Sequence, residues 1–285
     1  MLDVLVKIDE EINFGSDTIS TITTRGGGAA ANTACWMGSV GADVTFAGRI
    51  GADAAGAILV DDFQKNNVKL ALTRVAERST GTVVVIVDPS GERTMFPDPG
   101  ANSGLDFPDL PELSEFAAIF ISGYALYNPE STATIISVVT EANKRSIPVY
   151  FDLASVGTMG HFGRQRLLDF LPSIQSLIMN EDEAKYLAQD NPENSYSFFA
   201  NLVDLSIIKL GARGACAVKR STSDVFELVS INGSEVDVVD TTGAGDAFAA
   251  GFVTRFLEGA DLVSALESGE FLARQCVGIV GARPR

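Results

Sequence analysis

Short β-rich apolar runs alternate with helical stretches along the second half of this chain, and that alternation constrains its fold more than any other feature. The runs are Ile119 to Ser122, Val149 to Leu153, Leu177 to Met179 and Ile207 to Leu210, separated by helix-like stretches at Pro129 to Arg145, Arg164 to Leu171 and Asp182 to Gln189. Strands joined through helices run in the same direction, so the pattern predicts an α/β fold with a mainly parallel sheet covered by helices. In such sheets ligands bind beyond the carboxyl ends of the strands. The loops after Asp152, Asn180, Leu210 and Thr242 would therefore surround the site.

The amino-terminal part reads differently. Asp3 to Asp9, Thr18 to Thr24 and Thr82 to Asp88 have threonine-rich or alternating strand patterns, and the turn Asp88 to Arg93 leads to another short strand at Thr94 to Phe96. Between them lie Gly26-Gly27-Gly28, a helical Ala29 to Val40 stopped by Gly41, and a strand from Val44 to Gly48. A small second sheet inserted into the α/β domain is the expectation. Over the ligand-binding edge it reads equally well as a lid that excludes water or as an edge decoration.

The length of 285 residues fits one large domain with a sizeable core, and a net charge of −16 argues against a nucleic-acid surface. A phosphorylated ligand must then be held locally, by backbone dipoles, a few cations or a metal. The apolar run after Gly243 is broken by Asp246 and Arg255, and Met1 is not followed by a basic and apolar leader, so a cytoplasmic protein without a membrane partner is expected. Cys35, Cys216 and Cys276 are far apart in apolar stretches and read as packing thiols. His161, the sole histidine, reads as a loop residue.

Chemistry concentrates in Val238 to Phe252, where an apolar strand meets two glycines that open a helix carrying one carboxylate. Gly243 and Gly245 let N–H groups converge without Cβ obstruction, and the first helical turn adds unpaired donors and a positive dipole end. Asp246 in that turn has a bland reading, as a charge that offsets the dipole. The small apolar face Ala247, Ala249, Ala250 and Gly251 points instead to a close-packed turn, in which a carboxylate without a task is costly. The glycines at 26 to 28 lack G-x-G-x-x-G spacing and the chain has no Walker motif, which disfavours two familiar nucleotide folds.

Asp240-Thr241-Thr242-Gly243-Ala244-Gly245-Asp246-Ala247-Phe248 resembles the second signature of the ribokinase-like (PfkB) carbohydrate kinases. Gly26 to Asn32, followed by Gly41-Ala42-Asp43-Val44 and Gly48 to Asp53, resembles the first. The resemblance extends to Thr80-Gly81-Thr82 and Gly91 to Thr94 in the lid region, to Asn180-Glu181-Asp182-Glu183 as an N-x-x-E element and to Leu210-Gly211-Ala212-Arg213-Gly214 as a nucleotide loop. It implies a single ribokinase-like domain over 1-285, a three-layer α/β/α structure with a mainly parallel central sheet and a small β-sheet lid drawn from about 3-24 and 82-98. It further implies ATP-dependent phosphorylation, usually at a primary hydroxyl, of a sugar or sugar acid. Asp246 would be the general base, with the N–H groups of Gly243, Ala244 and Gly245 stabilising the transferred group.

Other roles follow by position. Asn180, Lys209, Gly211 and Gly214 would bind ATP, and Glu183 would organise Mg²⁺ through water. Asp240 with Thr242 would form a monovalent-cation loop, for K⁺. Asp3, Gly28 and Asn32 would contact the sugar, and Arg93 and Asn102 in the lid would add specificity. Asn180 and Glu183 also read as a helix cap, and Gly211 and Gly214 as plain turn residues. The family usually begins with a full strand ending near a Gly-Asp pair, whereas this sequence starts at Met1-Leu2-Asp3, so a central strand is expected to be shortened or missing. The carboxy end, Pro284-Arg285, also looks short, and Arg274-Gln275 stand where many members carry a small or amide residue against adenine. A homodimer through the lid is a further expectation. The rivals are a nucleoside kinase of the same fold and a non-catalytic sugar- or nucleotide-binding protein.

Overall fold

A computed structural model of the chain describes residues 1–222 and 225–284. Its largest sheet has six strands in the order β12-β11-β10-β9-β8-β7. Strands β7 (Ile119–Ser122), β8 (Val149–Asp152), β9 (Ser176–Asn180) and β10 (Leu205–Lys209) run parallel. Beyond them β11 (Ala215–Thr222) and β12 (Val225–Ile231) return antiparallel to an edge. Every residue of β8 is buried, as a parallel strand covered on both faces requires, whereas β12 alternates between exposed and half-buried positions.

The helices divide between the two faces. On one side α4 (Thr132–Lys144), α5 (Val156–Phe162), α6 (Arg164–Phe170), α7 (Glu181–Ala188) and α8 (Tyr196–Leu202) contribute to a core with Phe151, Leu177, Met179 and Ile208 from the strands. The short α3 (Gly123–Tyr127) follows β7 and adds Leu126. On the other side α1 (Ala29–Ser39), α9 (Ala244–Leu257) and α10 (Leu262–Val277) enclose Tyr150, Ile178 and Ile207. Consecutive strand residues thus feed opposite cores, which gives a three-layer α/β/α body.

A separate parallel pair, β3 (Thr45–Gly51) and β4 (Lys69–Val75), is bridged by α2 (Ala54–Lys65). Asp53 caps α2 by accepting the Gly56 N–H at 2.8 Å, and its other oxygen takes the Thr80 N–H at 2.7 Å. Leu59 and Phe63, four residues apart, supply the buried face of α2. The third sheet has four strands in the order β2-β1-β5-β6, formed by β1 (Leu2–Ile8), β2 (Ser20–Gly26), β5 (Thr82–Val87) and β6 (Arg93–Asp98). Leu2 packs with Ile50 and Leu59, which fastens the base of this sheet to α2 and β3.

Among the described residues no helix is long and apolar enough to cross a membrane. All three cysteines are buried free thiols. His161 differs from expectation: it lies in α5, exposed, with Nδ1 2.7 Å from the Gly157 carbonyl one turn earlier. A helix tolerates Gly157 and Gly160 here because Met159 and Phe162 bury its inner face.

Candidate active site

A cavity of about 340 Å³ opens at the carboxyl ends of β8, β9 and β10, facing the start of α9. Asp152, Asn180 and Lys209 reach it from the strand ends, and Gly243, Gly245 and Asp246 from the turn. A second cavity of about 320 Å³ lies between β2, α2 and residues 280–284. There Lys65 pairs with Asp61 at 2.6 Å, Arg283 pairs with Asp62, and Arg25 donates to the Val280 carbonyl. Only the first cavity combines carboxylates, an ammonium and free helix-start donors.

Gly243 is the N-cap of α9 at φ +79°, and a Cβ there would sit 2.5 Å from that of Ala282, so the turn requires glycine. The first helical bond runs from the Ala247 N–H to the Gly243 carbonyl at 2.9 Å, and the Ala244 N–H leans 3.3 Å back to Thr241. The N–H groups of Gly245 and Asp246 are left without an intrahelical partner. An anion placed at this turn meets donors and the positive end of a fourteen-residue helix.

Asp246 Oδ2 accepts a 2.8 Å hydrogen bond from Asn32 Nδ2. Asn32 is itself buried and fixed, because its Oδ1 accepts from Arg283 Nε at 3.1 Å while Arg283 Nη2 donates to the Gly27 carbonyl at 2.8 Å. Burial pushes the Asp246 carboxyl up to about 7, against the Asn32 hydrogen bond and the charges of Lys209 and Arg283, with the Asp152 charge adding to the rise. A carboxylate poised near neutrality can take a proton.

Lys209 Nζ lies 2.8 Å from Asp152 Oδ2 and 3.2 Å from where a Cβ on Gly245 would stand, so the ammonium borders the anion turn. Asp152 is held in turn by the Ala154 N–H, 2.9 Å from Oδ1. Burial works to neutralise Lys209, but the charges of Asp152 and Glu183 outweigh it and hold the ammonium above its ordinary range. Glu183 is pushed up to about 7 by burial, with Lys209 opposing and Asp152 reinforcing. It forms a capping box with Asn180: Asn180 Oδ1 accepts the Glu183 N–H and Glu183 Oε2 the Asn180 N–H, both at 2.8 Å. Gly211 is exposed at the cavity, whereas Gly214 is buried in the turn closed by the Leu210 N–H to Gly214 carbonyl bond of 2.8 Å.

Toward β1, the Asp3 carboxylate presses on the backbone of Gly27, where any Cβ would lie 2.1 Å from Oδ2, and burial raises its pKa. Gly28 caps α1 at φ +93°, four residues before Asn32. Asp3, Gly28 and Asn32 thus form one edge that ends at Asp246. Asn102 is not brought to this edge by any described contact; it stands exposed on the turn Gly100–Asn102, behind Gly81.

Two expectations are revised by Arg93. Its Nη2 donates to Asp240 Oδ1 at 2.5 Å and its Nη1 to the Thr242 hydroxyl, so its guanidinium is spent on this loop rather than offered to a substrate. Asp240 also accepts the Thr242 N–H at 2.8 Å and the Gly281 N–H at 2.9 Å. A loop whose side-chain oxygens already face donors does not fit a K⁺ ion. Burial alone would raise the Asp240 carboxyl, but the bonds from Thr242, Gly281 and Arg93 hold it at about 2.

Asp152 and Arg283 were not among the candidates read from the sequence. The position of Asp152 at the carboxyl end of a buried strand marked it, whereas Arg283 meets Asn32 across 251 residues with no local pattern to announce it.

The sequence family described as pfkB family carbohydrate kinase matches residues 5–284. A protein described as an uncharacterized sugar kinase of Archaeoglobus fulgidus is 26% identical over 253 residues, covering 87% of this chain and 96% of that protein. Among solved structures, adenosine kinase from Sinorhizobium meliloti superposes with a TM-score of 0.85 at 22% identity, covering 100% of this chain and 93% of that one. Arabidopsis thaliana ribokinase complexed with ribose and ATP gives 0.83 at 24% identity, covering 99% and 91%. These likenesses show a ribokinase-like α/β fold, and the family match spans almost every residue described above. The chain therefore belongs to the pfkB family of carbohydrate kinases, and it is an ATP-dependent enzyme of that family.

Proposed function

We propose that this kinase transfers the γ-phosphoryl group of ATP to a hydroxyl, usually a primary one, of a sugar or sugar acid. The observation that carries this reading is the Asp246 carboxylate, held 2.8 Å from Asn32 at the start of α9 and poised near neutrality beside free helix-start donors. Asp246 takes the proton from the attacking hydroxyl, and the bond that forms joins that oxygen to the γ-phosphorus as the bridging bond to ADP breaks. The N–H groups of Gly243, Ala244 and Gly245 face the charge that spreads over the phosphoryl oxygens. The 3.3 Å bond of Ala244 to Thr241 makes its share the weakest of the three, and the N–H of Asp246 a natural addition. Lys209 places a permanent positive charge on the same side.

ATP lies, on this reading, along Asn180, Lys209, Gly211 and Gly214. Carboxylate oxygens of Asp152, Glu183 and Asp246 line the cavity, the hard donor set Mg²⁺ takes. Among the described residues no cluster of three or more acidic, histidine or cysteine side chains could hold a metal alone, which suits an ion that keeps waters and nucleotide phosphates. Glu183 would hold it through water, and the ion would neutralise phosphate charge. Asp3, Gly28 and Asn32 bind the sugar hydroxyls, with the four-stranded sheet as the lid above them.

The register of that sheet places Val6, Ile22, Ile86 and Phe96 on one face, and Ile22 and Phe96 are exposed at 61% and 55%. We propose a second copy of the chain as the cover for that apolar face. A coupled ADP-release assay over sugars, sugar acids, sugar phosphates and nucleosides tests the function. Turnover with a sugar or sugar acid is expected; preference for a nucleoside selects the nucleoside-kinase alternative. Ligand-induced thermal stabilisation with no ATP consumption on any acceptor would refute catalysis and leave a binding protein.

A further inference from the structure

The loop that leads into the anion turn already holds a cation of its own. Asp240 is only 6% exposed, and its carboxylate is reached by the N–H groups of Thr242 and Gly281, the Thr242 hydroxyl and the guanidinium of Arg93. The second arm of that guanidinium takes the Thr242 hydroxyl, and the Thr242 carbonyl accepts from the Cys276 thiol at 3.3 Å. A dehydrated monovalent ion needs such oxygens as ligands, and here Asp240 Oδ1 and the Thr242 hydroxyl are engaged by a group of the same charge, while Asp240 Oδ2 and the Thr242 carbonyl face the Gly281 N–H and the Cys276 thiol.

Arg93 comes from the first residue of β6, at the edge of the four-stranded sheet, 147 residues from Asp240. Its side chain is 27% exposed, so the ion pair is mostly withdrawn from solvent screening. Thr242 is bonded directly to Gly243. Whatever fixes Thr242 therefore fixes the start of the anion turn, and the planar two-armed guanidinium fixes both the Asp240 carboxylate and the Thr242 hydroxyl at once.

We propose that Arg93 is a built-in replacement for a monovalent cation, a positioning residue that sets the Asp240–Thr242 loop and frees the enzyme from any need for potassium. The proposal rests on the phosphoryl-transfer role of the turn for its kinetic consequence, but not for its structural one. It also makes the sheet and the turn a connected unit, since Arg93 has its backbone in one and its charge in the other.

The test compares the wild-type enzyme with Arg93→Ala and Arg93→Lys in KCl and in choline chloride at equal ionic strength. For the wild type, thermal midpoint and kcat are expected to be the same in both salts. Arg93→Ala should lose about tenfold to a hundredfold in kcat in choline, the range seen when an outer orienting partner is removed from a metal centre. Potassium should restore part of that loss and raise its thermal midpoint specifically. Arg93→Lys, which keeps one charge, should fall between the two and respond less to potassium.

Severalfold activation of the wild type by potassium would overturn the proposal. So would an Arg93→Ala variant whose midpoint and kcat are equal in the two salts, or one whose only defect is a raised KM for ATP. The thermal arm needs no acceptor, so a wild type without turnover on any substrate would sink the proposed function while Arg93 remained testable by its salt-specific midpoint.

Discussion

Asp246→Asn separates catalysis from stability. The side chain keeps its shape and its oxygen can still accept from Asn32 Nδ2, now 2.8 Å from Asp246 Oδ2, so the fold should persist. What disappears is a carboxylate whose folded-state pKa is about 7 against an ordinary 3.8. A carboxyl raised in the folded state binds protons more tightly there than in the unfolded chain. Stability is therefore lost as pH climbs from about 4 through 7 and stays lost above. The difference of roughly three pH units corresponds to about 4 kcal/mol at pH 8, at ~1.4 kcal/mol each. Asp246 keeps an accessible edge toward the cavity, which relieves part of the penalty, so about 2 kcal/mol is a fair expectation. For a chain of this size that raises Tm by roughly 5 °C at pH 8. At pH 4.5 the folded carboxyl is protonated while most of the unfolded chain's is still ionised, so the gain should shrink to about a quarter of its value at pH 8. Meanwhile kcat should fall by about a thousandfold or more, within the range for a general base, with nucleotide affinity largely unchanged. Paired melting curves at pH 4.5 and 8, with single-turnover kinetics, decide it. Near-normal turnover would refute the base assignment, and an equal Tm change at both pH values would refute the burial cost.

Lys209→Met removes the one ammonium that opposes the raised pKa values of both Asp246 and Glu183. The acid limb of the kcat/KM profile, which for the wild type should rise through about pH 7, is expected to move to higher pH by about one unit or more; an unmoved limb would exclude Lys209 from the electrostatics of the base. Gly243→Ala forces a non-glycine residue into φ +79° and drives a Cβ to within 2.5 Å of that of Ala282. It should cost about 1–2 kcal/mol from the backbone conformation alone and, through the displaced donors, about a hundredfold in kcat with little change in KM; denaturant melts and steady-state kinetics check both parts. Phe96→Asp should convert a dimeric species in light scattering to a monomer, whereas a wild type that is already monomeric would dismiss the apolar face of the sheet as an interface.

The parallel sheet was readable in the sequence because the inner residues of β8, β9 and β10 are buried on both faces and appear as short apolar runs. Strands β11 and β12 were not, since an edge pair half open to water mixes Lys219, Arg220 and Glu227 into the pattern. At the site, local geometry followed local sequence. Gly243 and Asp246 share one helix start, and the Asn180–Glu183 cap needs only a spacing of three. Lys209, Arg93 and Asp240 were named from the sequence, but the pairings that give these groups their chemistry were not, because each partner is delivered from far away: Lys209 meets Asp152 across 57 residues, Arg93 meets Asp240 across 147 and Arg283 meets Asn32 across 251. Their absence from the sequence pattern has a physical reason. A buried ion pair is specified by the packing of whole elements, and any helix or strand end that brings the right charge satisfies it, so no particular spacing is enforced. The same reasoning explains why Arg93 reads from sequence as a specificity residue of the lid region, and in the fold as the partner of Asp240 and Thr242: its chemistry is set by the residue it reaches, not by the strand that carries it.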